Sequence, residues 1–171
     1  MAAPDHCGKD QLLESLIEWG ITTDTVEHPE VFTVEQALPY VKDLDGTFAK
    51  NIFLRDKKKR LYLFCAPHDT EVKLNDLAKI LKVSGGLRFA DESVLTEKLG
   101  LRQGAVTVFG LLNDKTNDVT LVLDRKLLTL CSKIYWHPMV NTASTGITPE
   151  GLTLFLQKTG HEPHIIDIPD T

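Results

Sequence analysis

The strongest constraint on the fold is a pair of short apolar runs, residues 52–54 and 61–65, that flank the charged residues 56–60. Both runs are too short for helices and contain β-branched or aromatic residues, so they predict the two strands of a β-hairpin. Lys50 and Asn51 immediately precede the first strand. A cation held there by a rigid backbone can bind an anionic or carbonyl-bearing ligand, although a solvated lysine at a strand end fits the pattern too.

The remaining pattern mixes helices and strands without strict alternation. Amphipathic periodicity and capping residues predict helices at residues 10–19, 33–38, 74–81, 91–99 and 148–159, with one further helical turn at 125–130. Strand-like runs occur at residues 25–27, 87–89, 104–110, 119–123, 133–136 and 165–168. We therefore expect an α/β fold in which helices surround a mixed, curved β-sheet. Residues 1–8 are predicted to be a flexible N-terminal tail, and residues 9–171 a single domain.

Composition limits the class of protein. The net charge of −5 excludes a global basic field for indiscriminate nucleic-acid binding, so any such contact must be local, and the basic run at 57–60 is one candidate. The three cysteines are odd in number and lack CxxC spacing, which favours reduced thiols and a cytoplasmic location. No apolar run predicts a membrane span or a signal peptide, and the histidines show no zinc-ligand spacing, so we expect no metal or cofactor.

Two further segments are candidates for a site. Residues 137–145 follow a predicted strand and are rich in small polar side chains, so they predict either a loop around a polar ligand or a self-satisfied turn. The glycine-bracketed residues 104–110 can bring backbone N–H groups close to a ligand, or they can simply mark a bend. Cys65 lies in an apolar strand, where a buried thiol is usually inert, so we do not expect it to be a nucleophile.

Taken together and in order, residues 49–56, 104–114 and 137–143 resemble the YbaK/prolyl-tRNA synthetase-associated editing domains. The similarity is greatest to the freestanding alanyl-tRNA(Pro) deacylase branch, which includes animal members, and it covers nearly the whole chain. It implies a single α/β domain that hydrolyses the ester of a mischarged proline tRNA. It also implies no metal and no protein nucleophile, because the neighbouring ribose hydroxyl assists and water completes the reaction. Prolyl-tRNA synthetase or another translation factor is a further expected partner.

The resemblance also implies roles for individual residues. Lys50, which would bind or orient the aminoacyl end, and His137, beside the terminal adenosine, are the expected catalytic residues. The expected substrate-binding residues are Asn51, Gly104, Ala105, Val106, Thr107, Val108 and Asn141.

One position departs from the family pattern, because Val108 stands where the glycine loop usually ends in proline. Proline would fix φ and remove an N–H group, so valine leaves the amino-acid preference open. Val108 therefore keeps open deacylation of another amino acid such as cysteine or serine. Val108 and the acidic net charge together keep open a non-catalytic module that binds tRNA or a synthetase. A thiol hydrolase that uses Cys65 is a separate alternative.

Overall fold

The computed structural model describes residues 6–41 and 46–169, which form an eight-stranded mixed sheet with helices on both faces. The strands are β1 (Asp24–Glu27), β2 (Thr47–Asp56), β3 (Leu61–Pro67), β4 (Leu87–Phe89), β5 (Val119–Asp124), β6 (Ile134–Trp136), β7 (Ala143–Ile147) and β8 (His164–Ile166). The helices are α1 (Lys9–Glu18), α2 (Val34–Val41), α3 (Leu74–Leu81), α4 (Glu92–Leu99), α5 (Lys126–Thr129) and α6 (Pro149–Thr159), with a 3₁₀ helix at Val108–Asn113.

The sheet runs in the order β1-β7-β6-β2-β3-β5-β8, and β4 pairs with β2 outside this path. The predicted hairpin is present, because β2 and β3 pair antiparallel from Ala49↔Pro67 to Arg55↔Leu61. β3 also pairs in parallel with β5, and β2 with β6. The predicted mixed α/β fold is therefore confirmed.

Side-chain alternation along the hairpin divides the core between the two faces of the sheet. Ala49 and Phe53 of β2 join a large cluster with residues of α1, α4 and α6, whereas Ile52 and Leu54 join a second cluster with α3. Successive strand residues point to opposite faces, so one buried strand supplies both clusters. All seven residues of β3 are buried, which fits its place between β2 and β5. The site described below is therefore built on a backbone that is packed from both sides.

Two local predictions were wrong. Residues 104–110 do not form a strand, since residues 104–107 are a loop that leads into the 3₁₀ helix, and Thr107 caps this helix by accepting a hydrogen bond from the Phe109 N–H. Residues 137–145 are not one loop, because Ala143 begins β7. In both cases the tertiary context overrides local propensity. Of the predicted tail, residues 1–5 lie outside the described residues, whereas the backbone N–H and C=O of Cys7 both bond the Asn113 side chain.

Candidate functional site

The site lies where β2 has an open edge. On this edge Thr47 and Phe48 pair with β6, and Leu54–Asp56 pairs with β4, but no strand pairs with the residues between them among the described parts of the chain. β6 ends at Trp136, and the backbone then turns sharply at Met139, which has φ +70°. The turn leads the chain away from β2 and leaves a gap in the sheet.

A cavity of about 310 Å³ occupies this gap. Its lining comes from β2, from β4 and α4, from the loop before the 3₁₀ helix, from the segment before α2, and from the end of β6: Phe32, Thr33, Phe48, Ala49, Lys50, Asn51, Ile52, Phe53, Phe89, Ala90, Glu92, Leu95, Gln103, Gly104, Val106 and His137. The three sequence segments that suggested a site therefore all contribute to one cavity.

Lys50 and His137 both border the cavity near the junction between β2 and β6. The parallel register pairs Thr47 with Ile134 and Phe48 with Tyr135, and it ends before either residue is reached. The Lys50 ammonium group donates a hydrogen bond to the Thr70 carbonyl, in the loop that follows β3. Its position is thus fixed both by its strand and by a backbone acceptor.

The backbone of Asn51 faces the open edge. Hydrogen bonds from His68 N–H to the Phe48 carbonyl and from Asp56 N–H to the Arg60 carbonyl show that the even-numbered residues of β2 bond toward β3. Odd-numbered residues of an antiparallel strand then direct their N–H and C=O groups to the other side. The main-chain polar groups of Asn51 therefore point toward the cavity, where a ligand can pair with them as a strand would.

His137 is a buried ring with a defined tautomer. Its Nδ1 lies 3.0 Å from the carbonyl oxygen of Ala143, which can only accept, so the neutral ring carries its proton on Nδ1 and leaves Nε2 as an acceptor. Burial lowers the pKa of His137 below its usual value; the bond to Ala143 opposes this shift, and the nearby His28 ring adds to it. His137 is therefore a neutral hydrogen-bond acceptor near pH 7.

Gly104, Gln103 and Glu92 also line the cavity. Gly104 has φ +89°, and a Cβ atom there would lie 3.1 Å from the Phe32 ring, so glycine serves both the left-handed conformation and the close approach. The Gln103 N–H donates to the Glu92 carboxylate at 2.9 Å, which ties this loop to the start of α4. Glu92 supplies the carboxylate of the described cavity lining, and Lys50 is the lysine of the same lining.

Comparison with known proteins identifies the family. The model of the aminoacyl-tRNA editing domain matches residues 28–155, a range that contains every described residue of the cavity lining. The chain belongs to the aminoacyl-tRNA editing domain family. Its relatives carry names that refer to association with prolyl-tRNA synthetase and to prolyl-tRNA editing, and the resemblance drawn from the sequence is confirmed.

Relatives and solved structures agree with this placement of the editing domain. The prolyl-tRNA synthetase associated domain-containing protein 1 of Xenopus laevis is 48% identical over 92% of this chain and 95% of its own length. The prolyl-tRNA editing protein ProX of Acetoanaerobium sticklandii is 33% identical over 96% of this chain and 99% of its own length. A solved structure described as a candidate trans-editing enzyme for prolyl tRNA synthetase shares the fold with a TM-score of 0.71, at 21% identity and full coverage of both chains.

Four of the predicted binding residues lie outside the cavity lining of the editing domain. Ala105, Thr107 and Val108 are buried, and Val108 packs in the large core cluster. Asn141 donates a hydrogen bond from Nδ2 to the Val31 carbonyl at 2.6 Å, while its own carbonyl accepts from the Val31 N–H. Asn141 thus holds the segment that carries Phe32 against the cavity. The predicted substrate-binding roles of these four residues stay predictions.

Several lining residues were not predicted from the sequence. Phe32 and Phe89 stand out because they are 63% and 67% exposed, which is unusual for phenylalanine, and both border the cavity. Neither belongs to a local pattern that indicates a site, because the fold alone brings them together. Phe48 could have been found, since it precedes Lys50 by two residues on one strand and therefore shares its face.

Two other classes of feature are absent from the described residues. Within residues 6–41 and 46–169, no group of three or more histidine, cysteine, aspartate or glutamate side chains is arranged to hold a metal ion. In the same part of the chain, no helix combines the length and apolar character needed to cross a membrane.

Proposed function

We propose that this editing domain is a trans-editing deacylase that hydrolyses alanyl-tRNA(Pro), with assistance from the free hydroxyl of the terminal ribose. The observation that supports this proposal is the single cavity at the open edge of β2, which Lys50, Asn51, Gly104 and His137 all border. These residues come from three separate segments of the chain, and each offers a group that suits an aminoacyl ester.

The chemistry required is modest. An ester is already activated, so orientation and stabilisation of the developing oxyanion can supply much of the rate. The Lys50 ammonium and the Asn51 backbone N–H are the donors available for that oxyanion. The Nε2 acceptor of His137 suits a ribose hydroxyl, which it would orient beside the ester. Water then adds to the carbonyl carbon, the bond to the ribose oxygen breaks, and free alanine and deacylated tRNA are released.

Other lining residues match the remaining parts of the substrate. An aminoacyl ester carries a free α-ammonium group, for which the Glu92 carboxylate is a partner of opposite charge. The unpaired bases at the 3′ end of tRNA stack on aromatic faces, an interaction worth about 1–3 kcal/mol per base. The exposed rings of Phe32 and Phe89 at the cavity border offer such faces.

Discrimination against proline must come from shape. A methylene-sized difference in favourable contact supplies only about 1–3 kcal/mol, which is too little to protect correctly charged prolyl-tRNA(Pro). Val106, Ala90 and Leu95 give the cavity an apolar wall at which a larger acyl group can be excluded by steric overlap.

The decisive experiment is a panel of proline tRNAs charged with alanine, cysteine, serine or proline, assayed with the purified protein and with Lys50→Ala. We expect hydrolysis of the alanyl ester, protection of the prolyl ester, and a loss of at least about 100-fold in Lys50→Ala. Lys158→Ala is the matched control, because Lys158 is an exposed lysine on α6 outside the cavity lining and its removal changes the net charge equally.

Each other outcome of the panel contradicts a stated part of the proposal. Preference for the cysteinyl or seryl ester would overturn alanine as the substrate, and full activity of Lys50→Ala would overturn the mechanism. Tight tRNA binding without turnover would identify a binding module instead. Complete loss of turnover in Cys65→Ser would restore the thiol hydrolase, because serine keeps a donor but removes the thiol nucleophile.

A further inference from the structure

We propose that Cys65 is a positioning residue that fixes the side-chain amide of Asn51 with its N–H donors turned toward the aminoacyl ester. The proposal rests on the proposed deacylase function and adds to it a group that neither touches the substrate nor lines the cavity. It arises from a contact across the β2–β3 hairpin, in which the Cys65 Sγ donates a hydrogen bond to the Asn51 Oδ1 at 3.0 Å.

The register of the hairpin dictates this contact. Asn51 lies directly opposite Cys65, and the alternation described above makes the two a non-hydrogen-bonded pair. Side chains in such pairs are closer together than in hydrogen-bonded pairs, with Cα atoms about 4.5 Å apart. The thiol is therefore within reach of the amide directly opposite it.

The chemistry of the thiol determines which end of the amide it binds. Cys65 is fully buried, and this burial raises its pKa well above the usual value, so the S–H proton is retained. A thiol is a weak donor and a still weaker partner for an N–H group, so it favours the amide oxygen. With Oδ1 occupied in this way, the two Nδ2 hydrogens are the groups left for a ligand in the cavity.

The same contact accounts for a cysteine in an otherwise apolar strand. Leu61 and Leu63 share its face of β3, and an aliphatic residue at position 65 would fill the core equally well. It would, however, leave the Asn51 oxygen without this donor, and the amide would be free to rotate and present its oxygen to the substrate carbonyl. Two oxygens repel each other, so such a flip would weaken binding of the transition state.

The test compares Cys65→Ala, Cys65→Val and Cys65→Ser by deacylation kinetics on alanyl-tRNA(Pro). We expect kcat to fall about five- to tenfold in the alanine and valine variants, with KM almost unchanged, because one oriented hydrogen bond to the reacting group is lost. Alanine is smaller than cysteine and valine is larger, and both lack a donor, so an equal loss in the two variants separates the donor from packing. Serine keeps a donor, and we expect it to retain at least half of the wild-type kcat. Cys131→Ala is the matched control, since Cys131 is half-buried outside the cavity and contacts the Lys126 carbonyl.

Variants that combine the Cys65 and Asn51 substitutions give the most discriminating test. If Cys65 acts through Asn51, Cys65→Ala should have no further effect in an Asn51→Ala background. Equal losses in both backgrounds, or loss of activity in Cys65→Ser to the level of Cys65→Val, would overturn the proposal.

A measurement that needs no activity separates this proposal from the deacylase function. The side-chain amide resonances of Asn51, observed by nuclear magnetic resonance with ¹⁵N labelling, should shift in Cys65→Val and keep near-native values in Cys65→Ser. Unchanged Asn51 resonances in Cys65→Val would contradict the positioning role even in an active enzyme. A shift in a protein that deacylates none of the tested tRNAs would leave the contact established and remove only the proposed function.

Discussion

Two buried histidines of this editing domain have opposite surroundings. His161 places its Nε2 2.9 Å from the Asp114 carboxylate, whose oxygens also accept the N–H groups of Asp118 and Val119. His137 has no such carboxylate among its described contacts; it bonds the Ala143 carbonyl and faces a cavity. Both side chains are more than nine-tenths buried, so burial alone does not distinguish them.

The difference lies in what each polar cluster leaves for a ligand. In the Asp114 cluster the hydrogen-bonding capacity is used within the protein, and a backbone turn at residues 114–119 is fixed as a result. In the cavity, the His137 acceptor and the Asn51 backbone have no partner among the described hydrogen bonds, and Lys50 borders the same space while it donates to the Thr70 carbonyl. A histidine beside a carboxylate resembles part of a catalytic arrangement, yet here it is the structural one, and the isolated histidine lies at the candidate site.

Asp114→Asn is expected to give the largest difference between the Asp114 cluster and the cavity, because it should affect stability and not activity. Burial alone would raise the pKa of Asp114, but the hydrogen bonds from His161, Val119 and Asp118 outweigh it and hold the pKa below its usual value. The charged form is therefore stabilised by folding, and its removal should cost about 3 kcal/mol in the free energy of unfolding at pH 7, measured by urea denaturation. The rate of deacylation per folded molecule should not change.

The pH dependence of this loss has a definite sign. A carboxyl group with a depressed pKa stabilises the folded state above its unfolded pKa of about 4, and this contribution is lost as the pH falls through the folded value. The wild type and Asp114→Asn should therefore converge in stability below about pH 4. A constant difference down to pH 2 would show that the charge is not what stabilises the turn.

The sequence predicts much of this fold because strong local signals coincide with the hairpin and the capped helices. Thr148, for example, accepts the Gly151 N–H and starts α6 as predicted. The predictions fail where propensity and context disagree. Val106 to Phe109 have β-prone side chains, but the segment has no strand partner in the structure and folds as a loop and a 3₁₀ turn.

Resemblance to the family points to the right segments but cannot divide their residues by role. In the segment 104–114, Gly104 and Val106 border the cavity, whereas Asn113 and Asp114 bind the protein's own backbone. Phe32 and Phe89 carry no local signal and become part of the site only through tertiary packing. Alternation and capping report local geometry, and neither reports which side chains meet across a cavity.

A smaller effect, of about tenfold in kcat/KM at pH 7, is expected from His137→Gln, because one neutral hydrogen bond to the substrate is lost. The pKa of His137 is lowered by burial, so the wild-type rate should fall only at a pH below the usual histidine value of about 6.5, where protonation converts Nε2 from an acceptor into a donor. This acid limb of the pH–rate profile should be absent in the variant.

His28→Gln serves as the matched control for that profile. The His28 ring stacks on Tyr40 and bonds the Ser144 hydroxyl, outside the cavity lining, so its loss should leave the rate at pH 7 almost unchanged. Because His28 lowers the pKa of His137, the acid limb should move to higher pH. If the acid limb persists in His137→Gln, its titrating group is not His137. The functional difference between His137 and His161 would then be contradicted.

The smallest effect is expected from Val106→Ala. Compared with the same change at Val108, it tests which residues of this segment form the cavity wall. Val106 borders the cavity, whereas Val108 is fully buried in the large core cluster. Val106→Ala should enlarge the cavity at its apolar wall and lower the ratio of alanyl to prolyl ester hydrolysis about three- to fivefold. This change is smaller than that expected for a fully enclosed methyl group, because Val106 is only partly buried. The ratio is measured with both charged tRNAs in parallel.

Val108→Ala makes the same chemical change at a valine that lies in the core and not in the cavity lining. It should lower the free energy of unfolding by about 1–3 kcal/mol, because it leaves a void in the core, while the ratio of the two hydrolysis rates stays within twofold of wild type. Such a result would mean that the valine in place of the family's proline affects stability rather than amino-acid preference. A ratio that shifts as much in Val108→Ala as in Val106→Ala would instead extend the specificity wall into the 3₁₀ helix and reopen cysteine and serine as substrates.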